Sequence, residues 1–255
     1  MKSDLYSDGF FSTISDGALR SAKQIAPLIL DIARPVSAVD VGCGTGAFLA
    51  CLKTLGVQDV LGIDGDWAKP ALSPGEFRSA DLSKPLAVDR RFDLVVSLEV
   101  AEHLEPGSAA VFVDSLTRLG PIVLFSAAIP FQGGVGHLNE QWPDYWAGLF
   151  AERGFELVDC IRMKLWDNPD VEWWYAQNTF VYVERNRLPL LRHERGELLN
   201  PAPASLRMAH PENYRRKGAA ADQQGPPSSV VSMVRRIVRR MARFGRSGEQ
   251  ERVAH

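Results

Sequence analysis

Apolar residues recur in two rhythms along the first 184 positions, and the rhythm breaks after that. Short runs rich in Val, Ile, Leu and Phe, at 36–41, 60–63, 77–80, 92–98 and 122–126, predict buried strands. Residues 16–33 place Ile25, Leu28, Ile29 and Ile32 along one helical face, with Asp16 at the N-cap and Pro35 as a stop. Residues 47–55, 107–119 and 142–153 also show helical spacing, and Gly154 suits the left-handed residue that ends the last. Residues 155–161 and 178–183 predict a late antiparallel pair at a sheet edge. Strands alternating with helices in this way predict an α/β fold. The expected form is Rossmann-like and doubly wound, with a mostly parallel seven-stranded sheet.

After Glu184 the texture changes. Residues 185–229 are rich in Arg, Pro, Ala, Gly and Gln, and read as a loosely ordered linker. Val230, Val234, Ile237, Met241 and Phe244 then recur at helical spacing beside Arg235, Arg236, Arg239, Arg240 and Arg243, a short basic amphipathic helix. The expected organisation is therefore a helical cap (1–34), a catalytic domain (35–184), a linker (185–229) and a basic tail (230–255).

Charge sharpens that division. Residues 231–246 hold six Arg and no acid against a chain total of −2, which leaves −8 elsewhere. An acidic body does not favour a long nucleic-acid groove. The basic tail reads as a solvated end or as a weak contact with anionic lipid, so the expected location is cytoplasmic, at most peripheral to a membrane. Cys43, Cys51 and Cys160 have neither disulfide nor metal-ligand spacing, which fits a reducing compartment. The polar N-terminus has no signal-peptide core, and no apolar run is long enough to span a bilayer.

The strongest chemical signal is Asp40-Val41-Gly42-Cys43-Gly44-Thr45-Gly46, after a predicted strand and before a predicted helix. Glycines let the chain turn tightly and let a ligand approach its backbone. The spacing G-x-G-x-G differs from the dinucleotide pattern G-x-G-x-x-G, and Asp40 suits an ammonium group better than a pyrophosphate. Asp64 ends the next strand, where a carboxylate can accept bonds from both ribose hydroxyls. Asp81, after the third, can accept from an adenine amine while Leu82 packs beside the ring.

These motifs, with the segment FDLVVSLEVAEHL at 92–104, resemble the class I S-adenosylmethionine (SAM)-dependent methyltransferases over residues 15–184. The resemblance implies SAM as cofactor, with cofactor-binding roles on Gly42, Gly44, Gly46, Asp64 and Asp81. For its rival, a nicotinamide dehydrogenase, this chain lacks the third-glycine spacing and any obvious hydride-transfer residues.

Activated SAM requires mainly that an acceptor be aligned with its methyl group, and in some cases that a proton be removed. Two polar clusters follow the fourth and fifth strands. The first is Glu99-Val100-Ala101-Glu102-His103, and the second is the glycine-rich loop 131–141, a candidate lid that carries His137, Asn139 and Glu140. The pattern E-x-x-E-H is similar to the metal-binding segment of small-RNA 2′-O-methyltransferases and ubiquinone-biosynthesis O-methyltransferases. That likeness implies Mg²⁺ or Mn²⁺ on Glu99, Glu102, His103 and His137. His103 and His137 are also the candidate catalytic residues. The plainer alternative is that Glu99 only orients the cofactor while Glu102 and His103 cap a loop. Leu104 stands where the RNA enzymes carry a second histidine.

Late aromatics split by context. Trp142, Tyr145 and Trp146 suit core packing. Trp166, Trp173, Trp174 and Tyr175 fall in a predicted loop with Asp and Asn, where they could line a sugar pocket or pack under the lid. The reading that unites these features is a SAM-dependent O-methyltransferase for a small polar acceptor, such as a sugar of a glycan or glycolipid. The alternatives are a non-catalytic SAM-binding scaffold and a metal-dependent RNA 2′-O-methyltransferase.

Overall fold

The structure is a computed structural model that describes residues 8–189, 191 and 203–224. The expected basic tail lies outside the described residues. The chain divides into two compact units, one ending at His210 and one beginning at Pro211.

The first unit opens with α1 (Asp8–Ala33), then β1 (Ser37–Val41), α2 (Ala47–Thr54), β2 (Asp59–Asp64), β3 (Phe77–Ser79) and β4 (Leu94–Leu98). It continues with α3 (Ala109–Leu119), β5 (Ile122–Ser126), α4 (Pro143–Ala151), β6 (Phe155–Val158), α5 (Arg162–Leu165), α6 (Trp173–Asn178), β7 (Phe180–Glu184) and the short α7 (Pro203–Leu206). The seven strands form one sheet in the order β3-β2-β1-β4-β5-β7-β6. Pairings among β1 to β5 are parallel, and β7 runs antiparallel to both β5 and β6.

Alternation along each central strand gives the sheet two buried faces. Leu94, Val96, Leu124, Val181 and Val183 face one core, which α1 and α2 cover. Val95, Val123, Phe125, Phe180 and Tyr182 face the other, with Phe112 and Leu116 of α3 and Trp146 and Phe150 of α4. A one-residue slip would exchange these faces, so the pattern fixes the register.

Some expected boundaries move. Asp16 does not cap α1, because the helix begins at Asp8. Phe11, Ile14 and Ala18 continue the apolar spacing upstream, so the periodic stripe runs past the supposed cap. Within α1, Ile25 and Ile29 are fully buried whereas Leu28 is only partly so. Pro27 is exposed, so its missing donor lies on the solvent side. The segment expected as an aromatic loop, 166–175, runs into α6 at Trp173, and Asn178 ends α6 rather than starting a strand. Part of the expected linker is also regular. In the second unit, α8 (Pro211–Gln224) has proline in its first turn, Glu212 paired to Arg215 and Arg216, and three consecutive alanines.

Candidate active site

In a doubly wound sheet, ligands bind beyond the carboxyl ends of the strands where the strand order reverses. Here that point lies between β1 and β4. The glycine loop leaves β1 there, and residues 99–103 leave β4.

The loop needs its glycines. Gly42, Gly44 and Gly46 have φ of 87°, 51° and 79°, the left-handed region that glycine adopts without cost. A Cβ on Gly42 would come within 2.3 Å of Val100 Cγ2, so this glycine lets the β1 loop close onto the β4 loop. A Cβ on Gly44 would meet no protein atom within 4 Å, so its backbone borders open space. The Gly42 N–H donates to the Ile63 carbonyl at 2.7 Å, tying the loop to β2.

Two buried carboxylates stand beside it. Asp64 accepts the N–H of Gly44 and of Gly65, each at 2.7 Å. Burial nevertheless raises its pKa, and the two N–H groups only partly offset that. Asp40 is raised to about 8, first by burial and then by the negative Asp64. Asp81 differs: it is exposed, its carboxylate binds the N–H and hydroxyl of Ser83 and the ammonium of Lys84, and its pKa falls to about 2. Leu82 is buried in the same core as Ile63 and Val100. Trp67 folds back over Gly65, whose Cβ would lie 2.2 Å from the indole Nε1.

On the β4 side, Glu102 is fully buried, and neither carboxylate oxygen makes a well-formed hydrogen bond. Burial, and then the neighbouring Glu99, push its pKa well above the ordinary carboxylate range. The N–H groups of Glu102 and Ala128 lie close enough to oppose that shift without offsetting it. Ligand atoms of Glu102, His103 and His137 lie within 4.8 Å of one another. The two imidazole rings meet edge to face at 4.9 Å. His137 Nδ1 lies 2.8 Å from Glu140 Oε1, and His103 Nδ1 lies 3.3 Å from the Gly136 carbonyl oxygen. Both contacts assign the neutral ring's proton to Nδ1 and the lone pair to Nε2.

Loop 131–141 reaches this cluster through several ties rather than as a free lid. The N–H groups of Leu138 and Asn139 donate to the Glu102 carbonyl at 2.7 and 3.0 Å, and Gly133 N–H donates to Glu140 at 2.7 Å. Asn139 is buried with its Nδ2 unpartnered. Glu99, expected among the metal ligands, is not one of the three converging groups. Its oxygens instead accept Asn178 Nδ2 at 3.1 Å and Gln132 Nε2 at 3.2 Å. Two non-glycine residues with left-handed backbone, Glu99 (φ 55°) and Phe131 (φ 65°), flank the site. Such strain persists where surrounding structure enforces it, often at functional sites.

The sequence did not point to Gln132, Gln177 or Asn178. The available signal was topological. β7 is antiparallel to β5, so the residues just before Phe180 lie beside the carboxyl end of β5, where Phe125 pairs with Phe180.

A methyltransferase-domain family model matches residues 16–150. The chain belongs to this methyltransferase family. Solved structures agree in fold. A sugar N-methyltransferase from Streptoalloteichus superposes with a TM-score of 0.55 at 18% identity, covering 70% of this chain and 92% of its own. An amino pentose methyltransferase from Micromonospora echinaspora, solved with SAM bound, gives 0.51 at 17% identity, covering 70% and 98%. No curated protein matches. The methyltransferase thus has the class I SAM-dependent fold, a mixed sheet with β7 reversed. Among the described residues, no helix is long and apolar enough to cross a membrane.

Proposed function

We propose that this methyltransferase moves the methyl group of SAM onto an oxygen of a small polar acceptor, a saccharide such as a sugar of a glycan or glycolipid. The observation that carries the reading is the convergence of Glu102, His103 and His137 at the carboxyl end of β4, across from the glycine loop. In this reading the open backbone at Gly44 borders SAM, Asp64 receives the ribose hydroxyls and Asp40 receives the ammonium group. Asp81 and Leu82 flank the adenine. As the acceptor oxygen forms its bond to the methyl carbon, the carbon–sulfur bond breaks and its electron pair stays on sulfur. The hydroxyl proton passes to His137 Nε2, and Glu140, 2.8 Å from Nδ1, stabilises the resulting imidazolium.

A second reading is favoured by the unpartnered Glu102 carboxylate: the three side chains hold a divalent ion. Their ligand atoms, within 4.8 Å of one another, would have to draw together to share one ion. Two imidazoles and a carboxylate favour Mn²⁺ over Mg²⁺, which prefers oxygen ligands. Such an ion lowers the pKa of a hydroxyl bound to it.

The test incubates chelator-treated protein and SAM with sugars, nucleotide sugars, amino sugars and phenols, without and with Mn²⁺. Mass spectrometry of the products locates the methyl group. A methyl ether formed without metal supports the histidine-base mechanism, and one formed only with Mn²⁺ supports the ion. Methylation confined to nitrogen, or no product, overturns the proposal.

A further inference from the structure

Asn178 has no role in the reading above, yet its side chain is buried inside a closed set of amides. Its Nδ2 donates to Glu99 Oε1 at 3.1 Å and to Gln132 Oε1 at 2.9 Å. Gln132 Nε2 donates to the other Glu99 oxygen at 3.2 Å. Gln177 completes the set: its Nε2 donates to Gln132 Oε1 and to Asn178 Oδ1, each at 2.9 Å, and its Oε1 accepts the His210 N–H at 2.8 Å. Both oxygens of Glu99 therefore face amide donors whose own acceptors are engaged.

Apolar side chains would fill such a space at lower desolvation cost. What amides supply instead is direction. A carboxylate held by two N–H donors has one orientation, and the donors are fixed in turn by Gln177. The backbone of Glu99 is itself held at φ 55°, a conformation that is strained for a residue other than glycine. Sequence distance adds to the argument, because residues 99, 132 and 178 come from three separate connections at the carboxyl end of the sheet.

Resting on the methyl-transfer reading, we infer that Asn178, seconded by Gln132, is a positioning residue. It holds the Glu99 carboxylate at the junction of the glycine loop and the Glu102–His103–His137 cluster, so that the acceptor's reacting group lines up with the methyl carbon. Misalignment acts on the chemical step more than on cofactor binding. An Asp at position 178 would turn a donor toward Glu99 into a second acceptor, and an Ala would leave Glu99 Oε1 without that partner.

The experiment compares wild type with Asn178→Asp, Asn178→Ala, Glu99→Gln and the double variant Glu99→Gln/Asn178→Asp. It measures kcat, SAM affinity and melting temperature. Both Asn178 variants should lose about tenfold or more in kcat while SAM affinity stays within about threefold. The double variant re-forms the 99–178 hydrogen bond with donor and acceptor exchanged but not the bond from residue 178 to Gln132 Oε1, so its melting temperature should lie above the sum of the two single losses although each single variant melts lower. Unchanged kcat in Asn178→Asp and Asn178→Ala overturns the role. So does a parallel loss of kcat, SAM affinity and melting temperature, which would mark Asn178 as merely structural. Should wild type methylate no acceptor, the function reading fails on its own. The double-variant cycle then still decides this inference, since recovery of the melting temperature supports it and simple addition of the two losses overturns it.

Discussion

The two halves of the crevice are built by different means. On the β1–β2 side, the glycine loop and Asp40, Asp64, Asp81 and Leu82 all follow one another within 43 residues of sequence, and backbone N–H groups make the key bonds. On the β4–β5–β7 side, side chains from residues 99–103, 132–140 and 177–178 interlock. The first side is a local motif that needs only a strand, a turn and a helix. The second exists only once three loops meet, and it holds the strained Glu99 and the orphaned Glu102. The difference suggests a division of labour. In the proposed reading the local half grips SAM, and the assembled half can change acceptor without disturbing that grip.

The largest expected effect tests the assembled half. Glu102→Met replaces a buried, unpartnered carboxyl with an apolar side chain of similar length. Turnover should fall by about a hundredfold or more. Melting temperature should rise by several degrees, because a buried polar group without a partner costs about 1–3 kcal/mol. Calorimetry should find SAM affinity unchanged. A lower melting temperature would mean that Glu102 has structural partners and would dissolve the contrast between the halves.

Next in size, two neighbouring glycines separate folding from binding within the local half. Gly42→Ala forces a Cβ to within 2.3 Å of Val100 at a φ of 87°. Strain and overpacking together should cost about 2–5 kcal/mol, seen as a lower melting temperature. Gly44→Ala meets no protein atom within 4 Å, so it carries only the conformational cost. Its methyl should instead weaken SAM binding by about tenfold, or about 1.4 kcal/mol. Equal SAM affinity in Gly44→Ala and wild type would mean that the open space beside Gly44 is not the cofactor's.

The smallest effect is one of pH. Asp40 holds its proton up to about pH 8, well above its value of 3.8 in an unfolded chain. The folded protein therefore binds more protons than the unfolded one between about pH 4 and pH 8, and stability falls as pH rises through that window. A cationic ammonium group beside Asp40 favours the ionised form, so SAM binding should release a proton below about pH 8. Calorimetry in two buffers of different ionisation enthalpy measures that release. Asp40→Asn should abolish it and should melt higher than wild type at pH 8. A wild-type enzyme that releases no proton would remove Asp40 from the ammonium site.

How much could be read in advance follows the same division. The strands, the sheet type and the glycine loop were legible because each rests on local periodicity or on glycine's freedom at positive φ. The N-terminus of α1 was misread because Asp16 looks like a cap in isolation, while the upstream apolar spacing lets the helix run through it. The segment 166–175 looked like a loop because Asp167, Asn168, Pro169 and Asp170 interrupt it. Yet α6 forms at Trp173–Asn178, where Ala176 is buried in the α1–α2 core and a turn of helix becomes worthwhile.

By itself, then, the sequence determined a doubly wound sheet, the position of the glycine loop and the residue types available for chemistry, since each follows from neighbours in the chain. Only the tertiary structure decided which of the four expected ligands converge. Glu102, His103 and His137 come together, whereas Glu99 turns to Asn178 and Gln132. The physical reason is the reversal of β7. Running antiparallel to β5, it brings the end of α6 to the carboxyl edge of the sheet and puts the Asn178 amide within reach of a carboxylate 79 residues away.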